Sequence, residues 1–353
     1  MSGRPRTSPA TITDVAQAAG VSIKTVSRVI NAAGYVREAT RRRVTRAIQR
    51  LGYRPNALAR GLVTGRSRSI GLVIADVVNP FFPPLVRAVE DVAASRGYTV
   101  ILADTDEDVA RERGVLAVLL EKQVDGLILC ASRVPAGLLR RIADSGVPLA
   151  MINRALGHPR AIGVIADGVA GGRLATEHLL RLGHTRIAYL AGPRASASNR
   201  NRLRGYRDAL ATWGIAFEPS LVAGGVPSLA GGAEAMASLL AAAPGPTAVF
   251  AFDDLMALGA LAELRRRRIR VPDEVALVGY DNIDLAEFTD PALTTVDQPK
   301  AQMGQLAATL LLDLIESGTL PRPRTRVLMP RLIVRASCGG ALAATPGARG
   351  AAT

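Results

Sequence analysis

Residues 11–31 read TITDVAQAAGVSIKTVSRVIN, two short helical patterns separated by a glycine turn. Thr11 can cap the first helix with Asp14 three residues on, and Val15, Ala16 and Ala19 recur at the spacing of one helical face. Gly20 ends that helix. Ser22 suits the N-cap of the second, in which Val26, Val29 and Ile30 point inward while Ile23, Lys24 and Arg28 point out. A lysine and an arginine four residues apart on an outward face suit a groove of acceptors and phosphates. This is the pattern of a helix-turn-helix, and a three-helix bundle with a merely solvated basic face is the competing reading.

The distribution of charge favours the first. From Met1 to Arg68 there are fourteen Lys and Arg against Asp14 and Glu38, so twelve of the chain's fourteen net positive charges lie in its first fifth. A basic block on a nearly neutral body points to a nucleic-acid module on its own domain. Residues 1–10, rich in Pro, Ser and Arg, are expected to be a disordered arm. A third helix from about Arg37 to Leu51 places Val44, Ala47, Ile48 and Leu51 on one face, closes the headpiece and ends at Gly52. Arg37 stands where a Ser or Thr cap would be expected, at a cost of ~1 kcal/mol.

Beyond the headpiece, RPNALARGLVTGRSRS holds a two-turn helical pattern at 56–62 followed by a polar linker to residue 68, too short to be helical alone. From Ser69 onward, apolar strands (SIGLVIAD, YTVILAD, DGLILCA, PLAMIN, RIAYLAG, TAVFAFD, VALVGYD) alternate with helical stretches, the pattern of parallel sheets covered on both faces. About 270 residues of it imply two lobes. At the carboxyl ends of strands, where α/β folds bind ligands, stand Asn153, Asp253, Asp254 and Asp281. The two adjacent aspartates also suit a helix N-cap, and Arg202, one of several arginines in its run, also reads as a surface charge. Cys130 and Cys338 lie far apart and suggest neither a disulfide nor a metal cluster. The N-terminus has no apolar run of a signal peptide, and no stretch approaches a membrane span, so a cytoplasmic protein is expected.

The stretch DVAQAAGVSIKTVSRVIN, followed by RRRVTRAIQRLGYRPNALARGL, resembles the DNA-binding headpiece of the lactose-repressor (LacI) family of bacterial transcription regulators. The resemblance implies an N-terminal helix-turn-helix domain at 11–55, a hinge helix and linker at 56–68, and a two-lobed α/β core at 69–338 similar to periplasmic sugar-binding proteins. It puts the first lobe at about 69–165 and 295–329 and the second at about 166–294 and 330–338; the low-complexity tail at 339–353 is expected to be disordered. That tail has no leucine heptad, so a tetramer-forming helix is not expected.

The resemblance also assigns partners and residues. It implies a homodimer on near-palindromic double-stranded operator DNA, most often as a repressor, with a small-molecule effector, a sugar or related metabolite, in the cleft. Ile23, Lys24 and Arg28 match the first, second and sixth recognition-helix positions with which relatives read bases. Ser22, Thr25, Ser27, Asn31 and Thr40 are expected on phosphates. Asn56, Ala59 and the wedge leucine Leu62 are expected in the minor groove.

For the effector, the family pattern points to Phe81 and Phe82 in NPFF, Asn153, Arg202 three residues before Gly205, Asp254 ahead of MALG, and Asp281. Val226 stands where relatives commonly carry a sugar-stacking aromatic, which weakens the expectation of a carbohydrate. No cofactor is expected. An enzyme is the competing class for the core, but GxxxxGK[ST], GxSxG and HExxH are missing, and His158, His178 and His184 lack metal-ligand spacing. A ligandless core, or one driven by a protein co-regulator, is a third reading.

Overall fold

The computed structural model describes residues 10–30, 34–53, 65–242 and 245–340. The chain divides into two units, Met1–Ser67 and Arg68–Thr353.

In the first unit, α1 (Ile12–Ala19) opens on the expected capping box: Asp14 N donates to Thr11 Oγ1 at 3.3 Å and Thr11 N to Asp14 Oδ2 at 2.8 Å. Gly20 stops it in the left-handed region, at φ 61°, where a Cβ would be strained. Ser22 caps α2 (Ile23–Ile30), its Oγ accepting from Thr25 N at 3.2 Å. Helix α3 (Glu38–Leu51) begins at Arg37 with no side-chain cap and closes at Gly52. Val15, Ala16, Ala19, Val26, Val44 and Ala47 form the small core, with Val29, Ile30, Ile48 and Leu51 packed half-buried around it. So slight a core suffices because three short helices share one apolar centre.

The second unit holds two six-stranded sheets. The first has the order β11-β5-β4-β3-β1-β2 and is parallel throughout. Its strands are β1 (Ser69–Ile74), β2 (Thr99–Asp104), β3 (Gly126–Cys130), β4 (Leu149–Ile152), β5 (Ala161–Ala166) and β11 (Thr325–Leu328), joined or covered by α4 (Phe82–Ser95), α5 (Val109–Glu121), α6 (Ala136–Asp144) and α11 (Lys300–Ser317). The second has the order β12-β10-β9-β8-β6-β7. It is built from β6 (Ile187–Ala191), β7 (Val222–Gly224), β8 (Ala248–Ala251), β9 (Ala276–Asp281), β10 (Thr294–Asp297) and β12 (Arg331–Ile333), with α7 (Gly168–Arg181), α8 (Ala197–Thr212), α9 (Leu229–Ala242) and α10 (Asp254–Arg266). Only its β10–β12 pair is antiparallel.

The expected lobe boundary needs one correction. Strand β10, which was expected to return the chain to the first lobe near Thr295, pairs with β9 and β12 of the second sheet. The first lobe regains the chain only at α11. The residue pattern of β10 is equally suited to either sheet, and only the pairing of Thr295 with Gly279 decides it. The chain therefore crosses between lobes after β5, between β10 and α11, and between β11 and β12.

In the second lobe, glycines set how closely α7 and α8 approach. A Cβ on Gly172 would overlap the Arg202 carbonyl oxygen, and one on Gly205 would overlap that of Val169. Helix α8 thus lies backbone-to-backbone on α7. That contact fixes where Arg202 enters the cleft.

Candidate nucleic-acid interface and ligand cleft

In the headpiece, α2 turns Val26 fully inward and leaves Ser22, Ile23, Lys24 and Arg28 exposed, Ile23 at 48%. An isoleucine half in water on a helix of eight residues gains nothing from burial there. Among the described residues neither Lys24 nor Arg28 has a carboxylate partner, whereas Arg42 on α3 pairs with Glu38 at 3.0 Å. Thr25, Ser27 and Thr40 are half-buried, and Thr25 Oγ1 shares a hydrogen bond with Ser22 Oγ at 2.9 Å. Tyr35, in the loop before α3, is 87% exposed; the sequence reading passed over it, although a lone aromatic among Gly and Ala in a basic domain was a signal. Asn31, Asn56, Ala59 and Leu62, together with most of the expected hinge, the arm up to residue 9 and the tail from 341, lie outside the described residues.

The cleft between the lobes gathers the carboxyl ends of strands from both sheets. A cavity of about 50 Å³ there is walled by Phe81 and Phe82 from one side and by Arg202, Phe252, Asp253 and Asp281 from the other. That is room for a few waters, so a larger ligand requires the lobes to part or these side chains to move. Phe81 and Phe82 meet edge to face, 5.1 Å between centroids, and both also belong to the first-lobe core. Asn79 positions them, its Oδ1 accepting from Phe81 N at 2.9 Å.

Four cleft residues hold left-handed backbone without being glycine: Glu107 in the loop before α5 (φ 59°), Ala131 after β3 (φ 58°), Asn153 after β4 (φ 60°) and Asp281 at the end of β9 (φ 108°). Such conformations cost ~1–3 kcal/mol each and persist where surrounding structure imposes them. All four line the cavity.

Arg202 is the centre of the second-lobe wall. It is 4% exposed, its guanidinium lies 3.6 Å above the centroid of the Tyr280 ring, and Phe252 flanks it at 4.6 Å. Nη1 donates to the Phe252 carbonyl oxygen and Nη2 to Asp281 Oδ1 at 3.4 Å, while Nε has no partner. Asp281 Oδ1 also accepts from Gln298 Nε2 at 2.5 Å. Gln298 sits on the β10–α11 crossover and was not singled out from the sequence, since nothing in a lone glutamine marks a hinge. Burial raises the Asp281 carboxyl above the usual range, opposed by Arg202, Gln298 and Lys300.

Two expected ligand contacts are elsewhere. Asp254 is fully buried away from the cavity: its carboxylate accepts from Thr295 Oγ1 at 2.6 Å and Ile283 N at 2.9 Å, tying α10 to β10 and the loop after β9. Asp253, one residue earlier, faces the cavity and also caps α10, accepting from Met256 N at 2.8 Å. Successive residues at a helix start point about 100° apart, so a one-residue misreading exchanges a cleft group for a core group. Burial foremost, then the charge of Asp281, pushes the Asp253 carboxyl up to about 7. Val226 is 62% exposed and outside the cavity wall, which its neighbour Pro227 enters instead.

Among the described residues no three His, Cys, Asp or Glu could share a metal ion, and no helix is long and apolar enough to cross a membrane.

Comparison with known proteins agrees with this geometry. Residues 11–56 match the pattern of the bacterial regulatory proteins of the lacI family, and residues 176–338 that of periplasmic binding protein-like domains. The chain is 36% identical over 331 residues to the HTH-type transcriptional repressor PurR of Aliivibrio fischeri (strain MJ11), covering 93% of this chain and 98% of that one. It is 35% identical over 337 residues to the repressor CytR of Escherichia coli (strain K12), covering 96% and 98%. Among solved structures, a lac repressor dimer bound to operator and the anti-inducer ONPF superposes with a TM-score of 0.83 at 31% identity, covering 94% of this chain and 99% of that one. A complex of the transcriptional regulator CelR with cellobiose gives 0.72 at 38% identity, covering 93% and 99%. With relatives above 30% identity matched over nearly their whole length, and the headpiece pattern in place, the chain belongs to the lacI family of bacterial transcription regulators.

Proposed function

We propose that this protein is a cytoplasmic repressor that binds a near-palindromic DNA operator as a homodimer, with its affinity for that site set by a small molecule in the cleft of the core. The observation that carries the reading is α2, which buries Val26 and exposes Ile23, Lys24 and Arg28 with no acidic partner among the described residues. In the major groove these three contact base edges, while Ser22, Thr25, Ser27 and Thr40, with Asn31, fix the register on phosphates. Asn56, Ala59 and Leu62 take the minor groove of the operator centre.

The dimer is supported by the free edge of the first sheet. Strand β2 ends the strand order, Leu102 on it is 41% exposed, and Ile101 and Ala103 border a shallow apolar groove with Val115 and Val118 of α5. Arg111 and Lys122 stand at the rim of this groove, and an apolar sheet edge with charges only at its rim suits a second copy of the chain. The effector is supported by the cleft itself, where a buried arginine, two buried carboxyl groups and three strained strand ends converge. Asn153, Arg202, Asp253 and Asp281 are its polar holds; Phe81 and Phe82 form its apolar wall.

The test is selection of DNA from a random pool by the full chain, followed by footprinting. An enriched inverted repeat, with half-sites about one helical turn apart, is the expected result. Recovery of a single unpaired half-site, or of no sequence at all, overturns the reading.

A further inference from the structure

Beside Arg202 the cleft opens into a second cavity, of about 340 Å³. Arg154, in the loop after β4, enters its wall from the first lobe; Arg200 and Arg202 of α8 enter from the second. Ser198, in the first turn of α8, lies between them, and no Asp or Glu lines the cavity. Three cations thus face one space. Among the described residues the one acid in ion-pair reach of any of them is Asp281, 3.4 Å from Arg202. Arg154 Nη1 donates to the carbonyl oxygens of Ser132 (3.0 Å) and Val134 (2.8 Å), and Arg200 Nη1 to that of Ala195 (2.9 Å). These bonds hold the guanidinium groups in place without neutralising them.

The arginines of the two lobes also act on each other. The Arg154 guanidinium is held below its ordinary pKa first by burial and then, against the pull of Glu112, by the positive charge of Arg200. Closing the lobes over this cavity therefore works against like charges. Arg202 adds an independent sign of a missing partner: it is 4% exposed, lines the same cavity, and its Nε proton is buried with no acceptor. A buried donor left unpaired is costly, and a charged one is more so.

We propose that the ligand of this cleft carries an anionic group, a phosphate or a carboxylate, which binds between Arg154 of the first lobe and Arg200 and Arg202 of the second. The proposal rests on the reading that the cleft holds an effector. Forked guanidinium donors suit the paired oxygens of either anion, and the first turn of α8 adds main-chain N–H donors and a positive dipole end. Because its charges come from both lobes, the anion offsets the repulsion between them and favours the closed arrangement over the open one. A neutral sugar makes no such distinction, and a ligand shifts a conformational equilibrium only by its differential affinity for the two states.

The test uses the full chain and inorganic phosphate as the minimal probe, against chloride at equal ionic strength, read by calorimetry and thermal unfolding. Phosphate is expected to bind saturably and raise Tm. Arg154→Gln and Arg200→Gln should each weaken that binding at least tenfold. Arg200→Lys should keep most of it, and Arg204→Gln, which removes an exposed arginine paired with Asp208 on the same helix, should keep all of it. Phosphate held by headpiece arginines would be indifferent to all four substitutions.

Glucose 6-phosphate, gluconate and glucose then separate the sources. Tighter binding of the first or the second identifies phosphate or carboxylate. The proposal is overturned if phosphate shows no saturable binding, if Arg154→Gln and Arg200→Gln bind it as the wild type does, or if glucose matches both anions. Operator titration with the same compounds tests the underlying reading separately. An anion that binds through Arg154 and Arg200 without changing operator affinity sinks the effector role and leaves the anion site standing. A neutral compound that shifts operator affinity equally in wild type and Arg154→Gln does the reverse.

Discussion

The Arg202 guanidinium carbon lies over the face of Tyr280, 3.6 Å from its centroid, and Nη2 of the same group reaches Asp281 Oδ1 at 3.4 Å. Stacking and ion pairing act on different parts of one guanidinium, so the side chain is fixed in plane and in rotation before any ligand arrives. A site so prepared loses little conformational entropy on binding.

Arg202→Ala should therefore act twice. It strips the cation from Asp281, which stays buried, and unpairing a buried ion pair costs ~3–5 kcal/mol; thermal unfolding of the core should show a loss of that order. It should also abolish the response of operator affinity to the effector, a coupling of ~1–3 kcal/mol. Arg202→Lys keeps the charge but loses the planar stack, so it should recover stability better than response. Wild-type response in either variant removes Arg202 from the ligand site.

Asp253 gives a pH dependence with a definite sign. Its native carboxyl titrates near 7, whereas an unfolded aspartate titrates near ~3.9. Below about pH 4 both states hold the proton and its contribution is fully present. As pH rises from there to about 7, only the unfolded state releases the proton, and stability falls by roughly 1.4 kcal/mol per pH unit for a single group. Asp253→Asn preserves the cap on Met256 and removes the titration. The difference in stability between variant and wild type should grow from pH 4 to pH 7 in favour of the variant, then level off. A flat difference across that range contradicts the raised pKa.

Asp254 should behave differently although it is adjacent. Its oxygens are acceptors for Thr295 and Ile283, and burial with the charge of Asp281 raises its carboxyl well above the usual range. Asp254→Ala removes both contacts and leaves the Ile283 N–H buried without a partner, at ~1–3 kcal/mol. Ligand affinity of the folded protein should stay within a fewfold of wild type. A large loss of ligand affinity at unchanged stability would return Asp254 to the cleft.

The headpiece was legible in the sequence because its determinants are local. Thr11 and Asp14 cap within one turn, Gly20 and Gly52 stop their helices, and Val26 repeats at helical spacing against Val29 and Ile30. Asp281 was legible as an acidic residue at a strand end, whereas Arg202, inside α8, was picked out only by the family pattern. What escaped depends on contacts distant along the chain. Strand β10 joins the second sheet through Gly279, Arg154 and Arg200 meet only across the cleft, and Gln298 becomes a hinge residue only when Asp281 is brought to it. The exchange of Asp253 for Asp254 has another cause: both suit an N-cap, and only the helix phase decides which faces out.

The recognition helix yields the last prediction. Arg28 is exposed and lacks an ion-pair partner among the described residues, whereas Thr25 is half-buried and bonded to Ser22. On the proposed operator, the long forked side chain of Arg28 is expected to read base edges and the short hydroxyl of Thr25 to reach the phosphate backbone. Arg28→Ala should thus cost roughly 1–3 kcal/mol on the operator and relax preference at one base pair of each half-site, with little effect on random DNA. Thr25→Ala should weaken operator and random DNA alike, apart from a small loss of headpiece stability from the broken Ser22 contact. Titration of both variants on operator, single-base variants and random duplex at fixed salt separates the two patterns. Equal losses on every duplex for both variants would mean that Arg28 also binds backbone, and that base reading rests on Ile23 and Lys24.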